Sequence, residues 1–118
     1  MSEITDQIWL GSYADVVKRS FLRERQITHI LCCADELPLR VGFPYSTTLE
    51  GHKVTGITWA QDAAEIMDKW VSEGKLIMVH CSDGVGRSAS AVIEYLIKYK
   101  KWSYQLAYDH IKLRRNIL

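Results

Sequence analysis

The segment from Leu76 to Ser88 constrains the fold of this chain more than any other stretch. A short apolar run ends there in the pair His80-Cys81, a small glycine-containing loop follows, and a long apolar segment begins at Ala89. This order predicts a buried strand, a tight loop and a buried helix. Backbone amides and a helix N-terminus then converge on one point, which favours binding of an anion beside the cysteine.

Strand-like and helical segments alternate along the rest of the chain. Apolar and β-branched runs predict strands at 4–10, 27–33, 45–49 and 76–80, the first of them at a sheet edge. Apolar periodicity predicts helices from residue 14, over 60–71 and after Arg87, and Ser103 is a suitable N-cap for a last helix. Residues 50–56 are mostly polar and are expected to form an exposed loop. Strands interleaved with helices indicate an α/β fold: a central, mostly parallel sheet of four to five strands flanked by helices.

Size, charge and cysteine content narrow the class of protein. A chain of 118 residues is expected to form one domain spanning 1–118. A formal net charge of +1 gives no general attraction to nucleic acid, so anion recognition has to be local and no nucleic-acid partner is expected. No apolar run is long enough to predict a membrane anchor. The three cysteines do not resemble a secreted disulfide framework, so a cytoplasmic or nuclear location is expected.

The chemistry of the loop centres on Cys81. At the end of a strand, its sulfur would face successive loop amides and the Arg87 guanidinium, which favours the nucleophilic thiolate. The amides can hold phosphoryl oxygens, Arg87 offers a bidentate fork, and the Ser88 hydroxyl can donate to the sulfur. The residues expected to bind phosphate are Ser82, Asp83, Gly84, Val85, Gly86 and Arg87.

The run His80-Cys81-x5-Arg87-Ser88 resembles the signature of cysteine-dependent protein phosphatases. The flanking segments resemble the small, atypical dual-specificity branch of that superfamily; they are 8–12, 27–31, 91–95 and 107–108. The resemblance implies a protein phosphatase that hydrolyses phosphotyrosine, phosphoserine and phosphothreonine through a cysteinyl-phosphate intermediate. It also implies phosphoprotein substrates, a supporting role for His80, and no metal or other cofactor.

The proton donor for the leaving oxygen is the point at which the sequence departs from this family. The family uses an aspartate on a loop before the cysteine, and here residues 47–53 contain only the carboxylate of Glu50. Glu50 is therefore our hypothesis for the general acid, with an exposed loop carboxylate as the alternative. Asp83 is a second candidate, because Cys-Ser-Asp-Gly also resembles the loop of myotubularin-type lipid phosphatases. We expect Asp83 to tune phosphate affinity through like-charge repulsion. Asp62 falls within a predicted helix and is discounted.

Three further interpretations remain open from the sequence. Cys33 lies where some related phosphatases keep a cysteine that forms a protective disulfide with the nucleophile, although a packed core thiol is the simpler alternative. Trp59 and Tyr45 are candidates to line the pocket, although such aromatics usually belong to the core. Family members commonly continue into another helix, so this domain is either minimal or lacks a final helix.

Three other functions are alternatives to the phosphatase hypothesis. A phosphate-binding pseudophosphatase or scaffold would keep the loop without turnover. A phosphatase acting on phosphoinositides or RNA 5′ phosphates would need a more basic surface than a net charge of +1 supplies. A persulfide-carrying sulfurtransferase uses a similar cysteine loop but does not predict the combination of His80, Gly84, Gly86 and Ser88.

Overall fold

The computed structural model describes residues 1–39 and 49–118, which form a five-stranded sheet with helices packed against it. The described elements, in chain order, are β1 (Ser2–Glu3), β2 (Ile8–Gly11), α1 (Tyr13–Val17), α2 (Arg19–Glu24), β3 (His29–Cys32), β4 (Glu50–Lys53), α3 (Trp59–Ser72), β5 (Ile77–His80), α4 (Arg87–Tyr99) and α5 (Tyr104–Arg114).

The sheet has the strand order β1-β2-β5-β3-β4. Strands β2, β5, β3 and β4 are parallel, and only β1 pairs antiparallel, with β2. The carboxyl ends of the parallel strands therefore lie at one edge of the sheet, and the loop after β5 leaves from its centre. The predicted α/β fold with a mostly parallel central sheet is confirmed.

Burial of the central strands and of α4 fixes where that loop begins and ends. Every residue of β3 and of β5 is buried, as expected of inner strands covered on both faces. Helix α4 buries seven residues and packs against α3, so the prediction that it is the most buried helix is confirmed. No helix within 1–39 or 49–118 combines the length and the apolar character needed to span a membrane.

Helix termini follow the local signals in the sequence. Gly74 has a φ of +76° and follows the last turn of α3, a conformation that glycine adopts without strain. The Ser103 hydroxyl accepts a hydrogen bond from the Leu106 amide at 3.1 Å, so the predicted N-cap of α5 is confirmed. Leu106 itself is 52% exposed.

Four expectations about the strands and helices are wrong or lie outside the described residues. The first predicted strand is not an edge strand, because β2 lies between β1 and β5. The single helix expected after residue 14 is interrupted at Lys18 into α1 and α2. Residues 50–56 are not simply a loop, because 50–53 form β4 at the opposite sheet edge. The strand expected at 45–49 and the pocket residue Tyr45 fall outside the described residues, except for the buried Leu49.

Candidate active site

Cys81 directly follows β5 and has a solvent exposure of only 1%. Its Sγ accepts a hydrogen bond from the Gly84 amide at 3.3 Å and lies 3.1 Å from the Ser88 hydroxyl oxygen. Helix α4 begins at Arg87, so the positive end of its dipole is at the same loop. The amide, the hydroxyl and the helix N-terminus all stabilise negative charge on the sulfur, which is what a nucleophilic thiolate needs.

Gly84 allows the loop to turn tightly beside Cys81. Its φ is +76°, and a Cβ at this position would lie 2.6 Å from the carbonyl oxygen of Gly11 and 2.6 Å from Nη2 of Arg115. Both the backbone conformation and the lack of space therefore require glycine.

The Arg87 guanidinium is held by Glu36, which lies in the loop after β3. Nη1 donates to Oε2 at 2.8 Å and Nη2 donates to Oε1 at 2.5 Å. This bidentate contact lowers the pKa of Glu36 to about 2 and raises the pKa of Arg87. A carboxylate thus occupies the fork that a phosphoryl group would need. The role of Glu36 could not be predicted from the sequence, because nothing near this residue indicates contact with a residue 51 positions away.

Asp83 turns its carboxylate back onto the loop. Its Oδ1 accepts a hydrogen bond from the Val85 amide at 3.1 Å and lies 3.6 Å from Cys81 Sγ. The hydrogen bond from Val85 is the main reason that the pKa of Asp83 is lowered. The carboxylate is therefore charged at neutral pH, where it opposes negative charge on the sulfur and on a bound phosphoryl group.

His80 supports the loop from inside the core. It is fully buried, and its Nδ1 donates to the Cys81 carbonyl oxygen at 3.2 Å, since a carbonyl can only accept. Burial lowers the pKa of His80, although the hydrogen bond to Cys81 opposes this shift. A neutral imidazole with its proton on Nδ1 therefore fixes the carbonyl at the first residue of the loop.

Glu50 does not lie beside Cys81, so the expectation that placed it there is wrong. Glu50 begins β4 and pairs in register with His29 of β3. His29 in turn pairs with Ile77 at the start of β5. Cys81 follows the other end of β5, so the two residues are separated by the length of a strand as well as by the intervening β3. The loop level with Cys81 is 54–58, which contains no carboxylate. Asp62 lies within α3, as expected, and accepts a hydrogen bond from the Thr58 hydroxyl at 3.0 Å.

Cys33 is the cysteine at the same level of the sheet as the nucleophile candidate. Cys32 pairs with His80, and the Cys33 amide donates to the His80 carbonyl at 2.8 Å, so Cys33 and Cys81 follow adjacent strand ends. Burial raises the pKa of the Cys33 thiol well above its ordinary value. Cys32, Cys33 and Cys81 are all free thiols. Trp59 is partly buried against the core.

The site geometry agrees with a family match over almost the whole chain. The family model of the dual specificity phosphatase catalytic domain matches residues 8–118 of this chain. The chain belongs to this family. It is 28% identical to protein phosphatase Slingshot of Drosophila melanogaster, over 99% of this chain but only 12% of that protein. It is also 28% identical to dual specificity protein phosphatase 1B of Arabidopsis thaliana, over 98% of this chain and 72% of that protein.

Solved structures with the same fold are known at lower identity. Human DUSP28 superposes with a TM-score of 0.81 at 18% identity, over 98% of this chain and 81% of that one. A human tyrosine phosphatase-like serine/threonine/tyrosine-interacting protein gives a TM-score of 0.78 at 24% identity, over 98% of this chain and 83% of that one. These likenesses show that the dual-specificity phosphatase domain has the sheet and helix arrangement of its relatives.

Proposed function

We propose that this dual-specificity phosphatase domain hydrolyses phosphate monoesters on proteins with Cys81 as the nucleophile. The observation that carries the proposal is the donor set at the Cys81 sulfur, with the Gly84 amide at 3.3 Å and the Ser88 hydroxyl at 3.1 Å. These groups stabilise negative charge on the attacking sulfur, and the Arg87 guanidinium at the start of α4 offers a fork for phosphoryl oxygens. The sulfur attacks phosphorus, the ester oxygen leaves, and a cysteinyl phosphate remains.

The second step returns the sulfur as a leaving group. Water attacks the phosphoryl group, and the Ser88 hydroxyl stabilises the thiolate by donating to it. Arg87 stabilises the charge on the transferring group in both steps, so its guanidinium has to exchange the Glu36 carboxylate for phosphoryl oxygens or bind both with different edges of its fork.

The substrate class follows from the family rather than from one contact. The catalytic-domain description and the relatives named as dual-specificity phosphatases support phosphotyrosine, phosphoserine and phosphothreonine as substrates. Three free thiols support a reducing location, the cytoplasm or nucleus. The chain spans only 12% of the length of the first of these relatives, so the substrates of that whole protein are not transferred to this chain.

A phosphate-binding scaffold is the second candidate function. Two observations favour it: Glu36 holds the Arg87 fork, and residues 54–58, level with Cys81, contain no carboxylate to protonate a leaving group. Such a protein would bind phosphorylated side chains with the same loop and turn them over very slowly. The distinction between the two functions is therefore a matter of rate.

The test is hydrolysis of p-nitrophenyl phosphate by the wild type and by three variants. Cys81→Ser and Arg87→Lys are expected to lose turnover, whereas Cys32→Ser, which removes another buried thiol, is expected to keep it. Acid-quenched wild-type enzyme should carry one phosphoryl group on the peptide that contains Cys81. Turnover in Cys81→Ser would overturn the assignment of the nucleophile. A wild type that binds phosphopeptide or vanadate without turnover would favour the scaffold.

A further inference from the structure

The carbonyl oxygens of residues 81–86, which we call the phosphate loop, all accept hydrogen bonds within the protein. Six successive carbonyls accept hydrogen bonds from groups that lie outside the anion site. The donors are His80 Nδ1 to Cys81, the Tyr13 amide to Ser82, Arg115 Nη2 to Asp83, Arg115 Nε to Gly84, the Leu118 amide to Val85 and the Ser90 amide to Gly86.

Arg115 supplies two of these six contacts and is the only side chain from a distant part of the sequence among the described donors. It lies directly after α5, and its amide donates to the Ile111 carbonyl at 2.8 Å. Its Nε donates to the Gly84 carbonyl at 2.7 Å and its Nη2 to the Asp83 carbonyl at 3.3 Å. The side chain is 18% exposed, so these contacts are mostly shielded from water.

Further contacts hold the guanidinium against the loop. Nη2 lies 3.9 Å from the Asp15 carboxylate, and Nη1 donates to the Ser2 hydroxyl at 3.3 Å. Asp15 is itself fixed, because it accepts a hydrogen bond from the Ser12 amide at 3.0 Å in the capping box of α1. The guanidinium therefore has a defined position between the start of α1 and the phosphate loop.

The contact of Arg115 with Asp83 bears directly on the nucleophile. The Asp83 carbonyl and the Gly84 amide belong to one planar peptide, in which C=O and N–H point in opposite directions. Arg115 donates to the oxygen of this peptide. The N–H of the same peptide, which belongs to Gly84, donates to Cys81 Sγ at 3.3 Å. Rotation of this peptide would remove both hydrogen bonds together.

We propose that Arg115 is a positioning residue of the active site, which fixes two peptide planes of the phosphate loop so that the Gly84 amide faces the thiolate and the Val85 amide holds the Asp83 carboxylate. The proposal rests on the proposed phosphatase function of the loop. Arginine suits this position because its planar fork reaches two neighbouring carbonyls at once, whereas a lysine ammonium acts as a single point charge. The end of α5 thereby determines the geometry of a loop 31 residues earlier in the chain.

The experiment compares Arg115→Met and Arg115→Lys with the control Arg114→Met. Arg114 is exposed and donates to the His110 carbonyl within its own helix, so its replacement removes the same charge without touching the loop. Because misplaced catalytic groups lose about 100-fold in rate for shifts near 1 Å, we expect Arg115→Met to lower kcat/KM for p-nitrophenyl phosphate and vanadate affinity by roughly 10- to 100-fold. Arg115→Lys should fall between Arg115→Met and the wild type, and Arg114→Met should match the wild type.

A second readout does not depend on turnover. Iodoacetate carries a carboxylate and iodoacetamide does not, so the ratio of their alkylation rates at Cys81 measures the anion-binding capacity of the loop amides. We expect the ratio of the iodoacetate rate to the iodoacetamide rate to fall in Arg115→Met. The melting temperature of Arg115→Lys should stay close to that of the wild type. Unchanged vanadate affinity and an unchanged ratio in both Arg115 variants would overturn the positioning role. An inactive wild type that shows the expected change in ratio would instead reject the phosphatase proposal and keep the role of Arg115.

Discussion

The carboxylate of Glu36 and the guanidinium of Arg87 form a bidentate pair, with hydrogen bonds of 2.8 and 2.5 Å, at the mouth of the phosphate loop. Both side chains are about half exposed, at 55% for Glu36 and 41% for Arg87. An incoming phosphoryl group meets an arginine whose charge is already partly neutralised. Phosphate therefore has to bind to an Arg87 guanidinium that is already paired with Glu36.

Glu36→Gln is expected to tighten the binding of phosphate and vanadate. The amide keeps the size of the side chain but removes the charge that competes for Arg87, so the inhibition constants should fall about three- to tenfold. Because Arg87 holds the pKa of Glu36 at about 2, the effect should be constant between about pH 5 and 8. Asp35→Asn, an exposed neighbour, is the control. Inhibition constants that stay the same or rise would contradict a competing role for Glu36.

Asp83→Asn is expected to make the site more receptive to anions. The asparagine oxygen can still accept the hydrogen bond from Val85, so the loop conformation is kept while the charge 3.6 Å from the sulfur is removed. At neutral pH we expect alkylation of Cys81 by iodoacetate to accelerate about three- to tenfold, since like-charge repulsion is relieved. The neutral reagent iodoacetamide measures the part of the effect that comes from a change in the reactivity of the Cys81 sulfur. Equal rates in the wild type and the variant would show that Asp83 does not tune the site.

The sequence predicted the centre of this fold well because the signals there are local. Every residue of β5 is buried, and the loop and the start of α4 follow it without a break, so apolar pattern and glycine positions sufficed. The fold around β4 was missed, because Glu50–Lys53 is a polar edge strand with partly exposed residues. Its pairing with β3 uses backbone groups, which leave no apolar alternation in the sequence.

The parts of the site that sequence reasoning missed depend on distant segments meeting. Glu36 reaches Arg87 and Arg115 reaches Gly84 only because separate loops meet at one edge of the sheet. The misplacement of Glu50 has the same origin, since its height along β4 follows from register and not from its distance in sequence to Cys81. Residue type and spacing identify a loop of this kind, but the topology of the sheet determines which distant residues surround it.

The buried His80 is expected to make stability depend on pH. Because burial lowers its pKa below the usual value of about 6.5, the unfolded chain binds a proton more readily than the folded one. The stabilisation is therefore complete above about pH 6.5 and is lost as the pH falls from there through the pKa of the folded state. His80→Asn, whose amide can still donate to the Cys81 carbonyl, should show a smaller loss of unfolding free energy between neutral and mildly acidic pH.

His29 is expected to contribute to the pH dependence of the unfolding free energy in the same direction as His80. Burial and then the charge of Lys75 lower its pKa, so His29→Asn should also reduce the pH dependence, and the double variant should reduce it further. Urea unfolding at a series of pH values measures both effects. If His80→Asn loses as much unfolding free energy as the wild type on acidification, the buried imidazole is not the responsible group.

Oxidation by peroxide is expected to join Cys33 to Cys81. The two residues follow adjacent strand ends, and a sulfenic acid on Cys81 can condense with the Cys33 thiol to give a disulfide and water. The wild type should then recover most of its activity with dithiothreitol, whereas Cys33→Ser should recover several-fold less, because further oxidation is irreversible. Cys32→Ser is the matched control. A wild-type peptide map without the Cys33–Cys81 crosslink would leave Cys33 as a packed core thiol.

The rate of the first chemical step is expected to depend steeply on the leaving group. Among the described residues, Glu36 and Asp83 have the side-chain carboxylates that are hydrogen-bonded to the loop or to Arg87, and both have lowered pKa values, so neither holds a proton at neutral pH. An oxygen that leaves without a proton leaves more slowly as its own pKa rises. Across a series of aryl phosphates, kcat/KM should therefore fall strongly with increasing pKa of the phenol, and alkyl phosphates should be slowest.

Two variants make this last prediction decisive. Glu50→Gln should leave the whole series unchanged, because Glu50 lies at the opposite end of β4 from the loop level with Cys81. Asp62→Asn should also leave the slope unchanged, since Asp62 is hydrogen-bonded to Thr58 at the start of α3. A shallow slope in the wild type that becomes steep in Asp62→Asn would contradict the prediction and assign the proton donor to Asp62. The same change in Glu50→Gln would require the 54–58 loop and β4 to rearrange when substrate binds.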